Sequence, residues 1–223
     1  MLQLYGREEE LVEQNTRGVE IARSAVDEHL KQTGKRAYVA ANLGPLPFPE
    51  KYLQHKSIEE IAQFYEAQYS ALLRAEPDLF IIESAFHLPT VAALGRIQQQ
   101  APKRLPIILT VPIYPDPAYI NGIPITHFLN EVKAALAPEV IGFSCGHSLD
   151  TMERVFDQLP QERIALIPNA GLPDEHGCYQ MEMNQLVARV LELHRHYHLS
   201  IVGGCCGTTP AYIDKLAIGL GKK

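Results

Sequence analysis

The sequence has no basic run apart from the terminal Lys222-Lys223, and 20 Lys and Arg against 26 Asp and Glu leave a net charge of −6. That balance excludes the electrostatic footprint of a nucleic-acid-binding protein. No apolar run approaches the ~20 residues that span a bilayer, so no membrane partner is expected. The opening stretch MLQLYGREEELVEQN turns acidic at once, unlike a secretory leader. Cysteine is scarce: Cys145, Cys178, Cys205 and Cys206 are too few for a disulfide scaffold in 223 residues. A reducing, cytoplasmic setting follows as the expectation, with thiols left free for metal or catalysis. Low-complexity segments, linkers and repeats are also missing, and the chain reads as a single domain over 1–223.

What is present is an alternation. Residues 7 to about 33 read as an amphipathic helix, with Val12, Val19, Ala22, Val26 and Leu30 at helical spacing and Gly34 as its stop. AYVAANLGPLP gives a short strand ending in a Gly-Pro turn, and Ser57 to Glu60 has capping-box form. Apolar strands then alternate with helices: LFIIES (79–84), LPIILTV (105–111), EVIGFSC (139–145), RIALIPNAG (163–171) and LSIVGGCC (199–206). Ser148 and Thr209 are placed as helix N-caps, with Pro210 at the first helical position. Strands that are apolar throughout, each followed by a helix, indicate a parallel sheet covered by helices. Six strands fit either an open doubly wound sheet or a (β/α)8 barrel, two strands short of closure. The polar residues Glu83, Thr110, Cys145, Asn169 and Cys205 fall at C-terminal strand ends, which in a barrel ring one mouth.

Two adjacent cysteines, Cys205 and Cys206, lie between Gly203-Gly204 and Gly207. A disulfide between neighbours strains the single peptide step, so the pair calls for another partner. With Cys145 two strands earlier, three thiolates and an open fourth position describe a catalytic zinc site. The flanking glycines let both side chains turn toward one ion. Such a site suits alkylation of a thiol, because a metal-bound sulfur is a thiolate at neutral pH. The same cysteines also read as small buried hydrophobes. Cys178, in DEHGCYQ, has no partner in the pattern and reads as incidental.

GGCCGTTP after the last strand, with one cysteine after the strand two before it, resembles the homocysteine S-methyltransferase family. IPNAGLPDEHGCY is similar to the homocysteine module of cobalamin-dependent methionine synthase, and the resemblance runs from about residue 8 to 219. It implies a TIM-type (β/α)8 barrel, N-terminally truncated here to about six parallel strands. It implies one Zn²⁺ on Cys145, Cys205 and Cys206, Glu83 on the homocysteine amino group, and Asn169 lining the mouth. The family carries Asn before its first zinc cysteine where this chain has Ser144. Family members also open with two strands and an Asp-Gly-Gly loop that this chain lacks. A partner chain or self-association would then fill the gap, or the activity is impaired.

Other polar clusters invite plainer readings. His194, His196 and His198 alternate and so do not share a helix face, which suits a solvated helix end. His147 could reach the mouth, and YPDPAYINGIP (114–124) reads as a lid or an ordinary connection. The function expected is zinc-dependent methyl transfer to the thiol of homocysteine, giving methionine. No Gly-rich S-adenosylmethionine fingerprint or cobalamin module is visible, which leaves the methyl donor open. A zinc- or homocysteine-binding remnant without activity is the second reading, and a vicinal-dithiol redox protein the third.

Overall fold

A computed structural model describes residues 5–159 and 163–222. The chain forms two compact units, Met1–Ile108 with Glu131–Pro138, and Leu109–Asn130 with Glu139–Lys223.

In the first unit a 3-10 turn at Glu8–Glu10 leads into α1 (Leu11–Thr33), closed by Gly34 in the left-handed conformation at φ 68°. The helical stripe read from the sequence is covered only in its middle: Val19 is buried, whereas Val12 and Leu30 are exposed. The 23 residues of α1 pack on the 17 of α3 (Ile58–Arg74), which is too short to cover the stripe end to end. The expected capping box opens α3, with Glu60 N donating to Ser57 Oγ and Ser57 N to the Glu60 carboxylate. This helix buries Ile61, Tyr65, Tyr69 and Leu72, and Tyr69 stacks on Phe80 at 4.6 Å between ring centres. Phe80 lies on β2 (Leu79–Ile82), which pairs in parallel with β1 (Ala40–Leu43), Ala40 opposite Leu79. A short helix, α2 (Glu50–Leu53), precedes α3, and α4 (Leu88–Gln100) packs against it. Gly95 of α4 lies so near residues 135–136 that a Cβ there would sit 2.1 Å from the Ala135 carbonyl oxygen.

Asp78 pins the start of this sheet. Its carboxylate accepts from Val39 N at 2.7 Å and pairs with Arg23 of α1 at 3.0 Å. The hydrogen bond from Val39 N is the main cause that holds the carboxyl below its ordinary range; burial opposes it, and Arg23 adds to the lowering. A carboxyl depressed on folding contributes stability above its unfolded pKa of ~3.9 and loses it as pH falls further. Asp78→Asn should therefore cost about 1–2 kcal/mol at neutral pH. In urea melts the gap to wild type should close below about pH 4. A gap that persists unchanged at pH 3 would reject this account.

In the second unit, β3 (Ile107–Ile113) continues from Leu109 and leads to a hairpin of β4 (Tyr119–Ile120) and β5 (Ile123–Pro124). The stretch 114–124 thus carries a hairpin, in which Asn121 and Gly122, at φ 51° and 76°, form the tight turn. After α5 (Ile125–Leu136), β6 (Val140–Gly146) pairs in parallel with β7 (Ile164–Ile167), and β7 with β8 (Ile201–Val202). All four residues of β7 are buried, as a central parallel strand requires. Ser148 caps α6 (Leu149–Phe156), and Thr209 caps α8 (Pro210–Gly219), both as expected. The helix α7 (Met183–Tyr197) is capped by the Glu182 carboxylate and ends at His198, in the left-handed conformation at φ 51°. His196 and His198 are exposed there, and His194 Nδ1 lies 3.0 Å from the Leu199 carbonyl oxygen.

The six strands are ordered β1-β2-β3-β6-β7-β8. This is an α/β, TIM-barrel-like arrangement with six of a barrel's eight strands.

Candidate metal centre

Cys145 is the penultimate residue of β6 and adopts φ 56°, followed by Gly146 at φ 79°. Two left-handed residues in succession end the strand sharply, and His147 N then donates to the Ile113 carbonyl at 2.7 Å. Only glycine fits after Cys145, because a Cβ on residue 146 would lie 2.1 Å from the Ile113 oxygen.

The other two thiols come from the turn after β8. Strand pairing stops at Val202, yet Gly203 N still donates to Leu166 O and Cys205 N to Pro168 O, at 2.9 and 2.8 Å. Cys206 is held from both sides of its peptide: its N–H donates to Asn169 Oδ1 at 3.2 Å, and its carbonyl accepts from Ala170 N at 2.8 Å. Gly207, at φ 77°, completes the turn. Of the flanking glycines only Gly207 takes the left-handed conformation, while Gly204 is required by space, since a Cβ there would lie 2.5 Å from Thr208 Oγ1.

The Sγ atoms of Cys145, Cys205 and Cys206 all lie within 4.8 Å of one another, and none is in a disulfide. Cys145 is 2.6 Å from Cys205 and 3.9 Å from Cys206, and the adjacent pair is 3.8 Å apart. Tetrahedral zinc with Zn–S bonds of ~2.3 Å separates its sulfurs by ~3.8 Å. Two of the three spacings meet that value, and the third requires Cys145 and Cys205 to part by about 1 Å. The electrostatics agree with the donor chemistry. Hydrogen bonding to Cys205, then burial, then the neighbouring thiolate charges push the Cys145 thiol far above its ordinary range. Three sulfurs this close ionise together only when a cation sits among them. The cluster is able to coordinate a metal ion.

The structure places the remaining expected residues as follows. Asn169 is buried behind Cys206 and supports its backbone. Cys178 is exposed and stands outside the cluster, its N–H on Asp174 Oδ1 at 2.9 Å. His147 is turned to Thr151, Nδ1 to Oγ1 at 2.9 Å. Thr110 is not at a strand end: β3 runs on to Ile113, and the buried Thr110 hydroxyl lies 2.6 Å from that of Ser144. In the first unit Glu83 follows β2, its N–H on the Leu43 carbonyl at 3.1 Å and its carboxylate accepting from the Asn42 amide. It lines a mostly apolar cavity of about 370 Å³, open mouth included, with Gly44, Leu46, Tyr65, His87 and Leu94.

Two residues escaped the sequence reading. Asn42 lay unremarked in the Gly-Pro turn segment, and its only signal was an amide at a strand end beside an acidic one. Tyr179 stands in DEHGCYQ with nothing in its spacing to mark it. Its ring lies over Gly207, where a Cβ would come 2.3 Å from that of Tyr179.

The family profile described as Homocysteine S-methyltransferase matches residues 1–219. The chain belongs to the homocysteine S-methyltransferase family. A methionine synthase from Mycobacterium leprae (strain TN) is 28% identical to this family member over 225 residues, covering 92% of the chain and 18% of the relative. The chain thus spans about a fifth of the length of that relative. Among solved structures, the homocysteine methyltransferase MmuM from Escherichia coli in its apo form superposes with a TM-score of 0.76 at 22% identity. That alignment covers 93% of this chain and 73% of MmuM. The metallated form gives the same TM-score and identity, over 93% of this chain and 70% of the other. At this identity the likeness shows a shared fold. No helix among the described residues is long and apolar enough to cross a membrane.

Proposed function

We propose that this chain, acting as one homocysteine-binding domain over 1–223, holds zinc on Cys145, Cys205 and Cys206 and transfers a methyl group to the thiol of homocysteine. The observation that carries this is the convergence of three thiols from two strand ends within 4.8 Å of one another in a member of this family. When bound, zinc supplies the positive charge that keeps a substrate thiol deprotonated at neutral pH. The rest is the work of the protein's own groups. The two strand ends bring three sulfurs together, and a metal held on them would take the substrate sulfur as a further ligand. The carboxylate of Glu83, oriented by Asn42, takes the role of acceptor for the substrate ammonium. Asn169 lines the site while it holds Cys206 in place. In the reaction the substrate S–H proton leaves, a C–S bond forms to the methyl carbon, and the bond from that carbon to the donor breaks.

The test is direct. Zinc-loaded protein is incubated with homocysteine and S-methylmethionine, betaine or methylcobalamin in turn, and methionine is measured. Product with one donor supports the reading. Homocysteine binding without product from any donor leaves a binding remnant in its place. Calorimetry in buffers of different ionisation enthalpy should show about one proton released per homocysteine bound near pH 7. Binding without proton release counts against thiolate activation. Strands β1 and β8 stand at the two ends of the strand order, where strands of a second copy or another chain would add, and sedimentation of the purified chain measures that.

A further inference from the structure

Gly95 lets α4 and α5 touch, and beside that contact, within the first unit, lies a cavity of about 310 Å³, open mouth included. Its walls include Gly95, Ala134, Ala135 and Ala137, and its polar side chains are Gln98, Gln99 and Arg104. Gln98 is only 4% exposed, and its amide is half used. Nε2 donates to the Leu105 carbonyl at 2.9 Å, which fixes the amide's orientation and leaves Oε1 as an acceptor without a donor. Among the described residues it is one of two buried side-chain atoms in that condition. An unpaired buried amide oxygen is costly, so a fold keeps one where something supplies the donor. The backbone adds further acceptors, because both helices end here: Gln98 and Gln99 lie in the last turn of α4, Ala134 and Ala135 in that of α5. The last carbonyls of a helix have no partner within it and carry its partial negative charge. Ala137 N still donates to Lys133 O at 3.0 Å, but Ala134 O has no N–H to receive in the next register, since residue 138 is proline. Arg104 has the opposite character: it is exposed and forms no ion pair with another described residue.

We propose that this cavity is a binding site for a small free α-amino acid, with the ammonium on Gln98 Oε1 and the helix-end carbonyls and the carboxylate on Arg104. The charges decide among ligands. An anion alone would meet the negative ends of two helices, and a cation alone would meet Arg104. A molecule with both charges, one carbon apart, faces each with its opposite. Walls of glycine and alanine suit a ligand with little side chain, and the volume is at the lower end of ligand cavities. The site shares no residue with the thiol cluster, and Glu83 does not line it, so the inference stands apart from the zinc reading.

Glycine titrated into the isotope-labelled full chain should bind saturably and shift the NMR signals of the Gly95, Gln98 and Ala137 amides. Methylamine and acetate, which carry one charge each, should bind at least about tenfold more weakly than glycine. Arg104→Gln removes the partner of the carboxylate and should weaken glycine about tenfold while leaving methylamine no weaker. Gln98→Met removes the buried acceptor at similar volume and should weaken glycine and methylamine alike. That variant also loses the bond to Leu105, so Arg104→Gln, at an exposed position, carries the test if it misfolds. Glycine that does not saturate, shifts confined to residues around Glu83, or unchanged glycine affinity in Arg104→Gln overturns the proposal, and water is then the donor to Gln98. Methylamine bound as tightly as glycine overturns the assignment to an amino acid.

Discussion

Alanine at Cys145, Cys205 or Cys206 should each abolish tight zinc binding, while Cys178→Ala should bind as wild type does. The size of the effect follows from how metal affinity is shared. A structural zinc held by four ligands is worth about 10–16 kcal/mol, so each sulfur accounts for about 3 kcal/mol or more. Losing one of three should weaken binding by at least about 10²-fold. The three variants should also resemble one another, since the sulfurs form a single cluster within 4.8 Å. Competition against a chelator of known affinity measures this, and X-ray absorption should show sulfur as the main ligand. A Cys205→Ala protein that keeps wild-type affinity, or a spectrum dominated by nitrogen, would defeat the assignment. Cys178→Ala is the internal control, because that thiol is exposed and outside the cluster.

The second large effect concerns a residue with no side chain at all. Gly146→Ala should destabilise the second unit by about 4 kcal/mol or more and take the metal centre with it. Two costs add. At φ 79° an alanine is strained whatever its surroundings, by about 1 kcal/mol or more. Its Cβ would also lie 2.1 Å from a backbone oxygen and 2.6 Å from a backbone nitrogen of Ile113, neither of which can swing aside as a flexible side chain would. Relief requires β3 and β6 to separate where Cys145 sits. Urea denaturation and zinc titration on the same preparation should both fail. Gly18→Ala offers the contrast: it lies in α1 with nothing within 4 Å, and the change should stabilise by up to about 1 kcal/mol. If Gly146→Ala melts like Gly18→Ala, the close approach of the two strands is not what holds Cys145.

Much of this arrangement was legible in the residues. The apolar strands and their caps announced a parallel sheet because Ser57, Ser148 and Thr209 carry their start signals locally, in three or four residues. The thiol cluster was legible because GGCCG joins two unusual demands, adjacent thiols and a backbone free to turn. What could not be read depended on long-range packing. Thr110 looked like a mouth residue because its strand seemed to stop at 111, and only pairing with β6 carries the strand on to Ile113. Val12 and Leu30 have the right spacing for burial, but the length of α3 decides how far cover extends. Asn121-Gly122 is a strong hairpin signal, yet its flanking strands are two residues each and give no periodicity. Tyr179 comes to lie against Gly207 through a loop folded on Asp174, and no spacing rule encodes that path.

The distance along the chain between Cys145 and Cys205, 60 residues, sets an order of events in the cell. At ~5–20 residues per second, Cys145 is made ~3–12 s before the thiols that complete its cluster. Through that interval it is a solitary thiol on a newly made strand. The partners follow directly on β8, a strand of only two paired positions. The three-thiol cluster therefore exists only once that strand has been made and paired. An oxidant or electrophile acting in that interval meets Cys145 without Cys205 and Cys206, and one acting later meets the three thiols together.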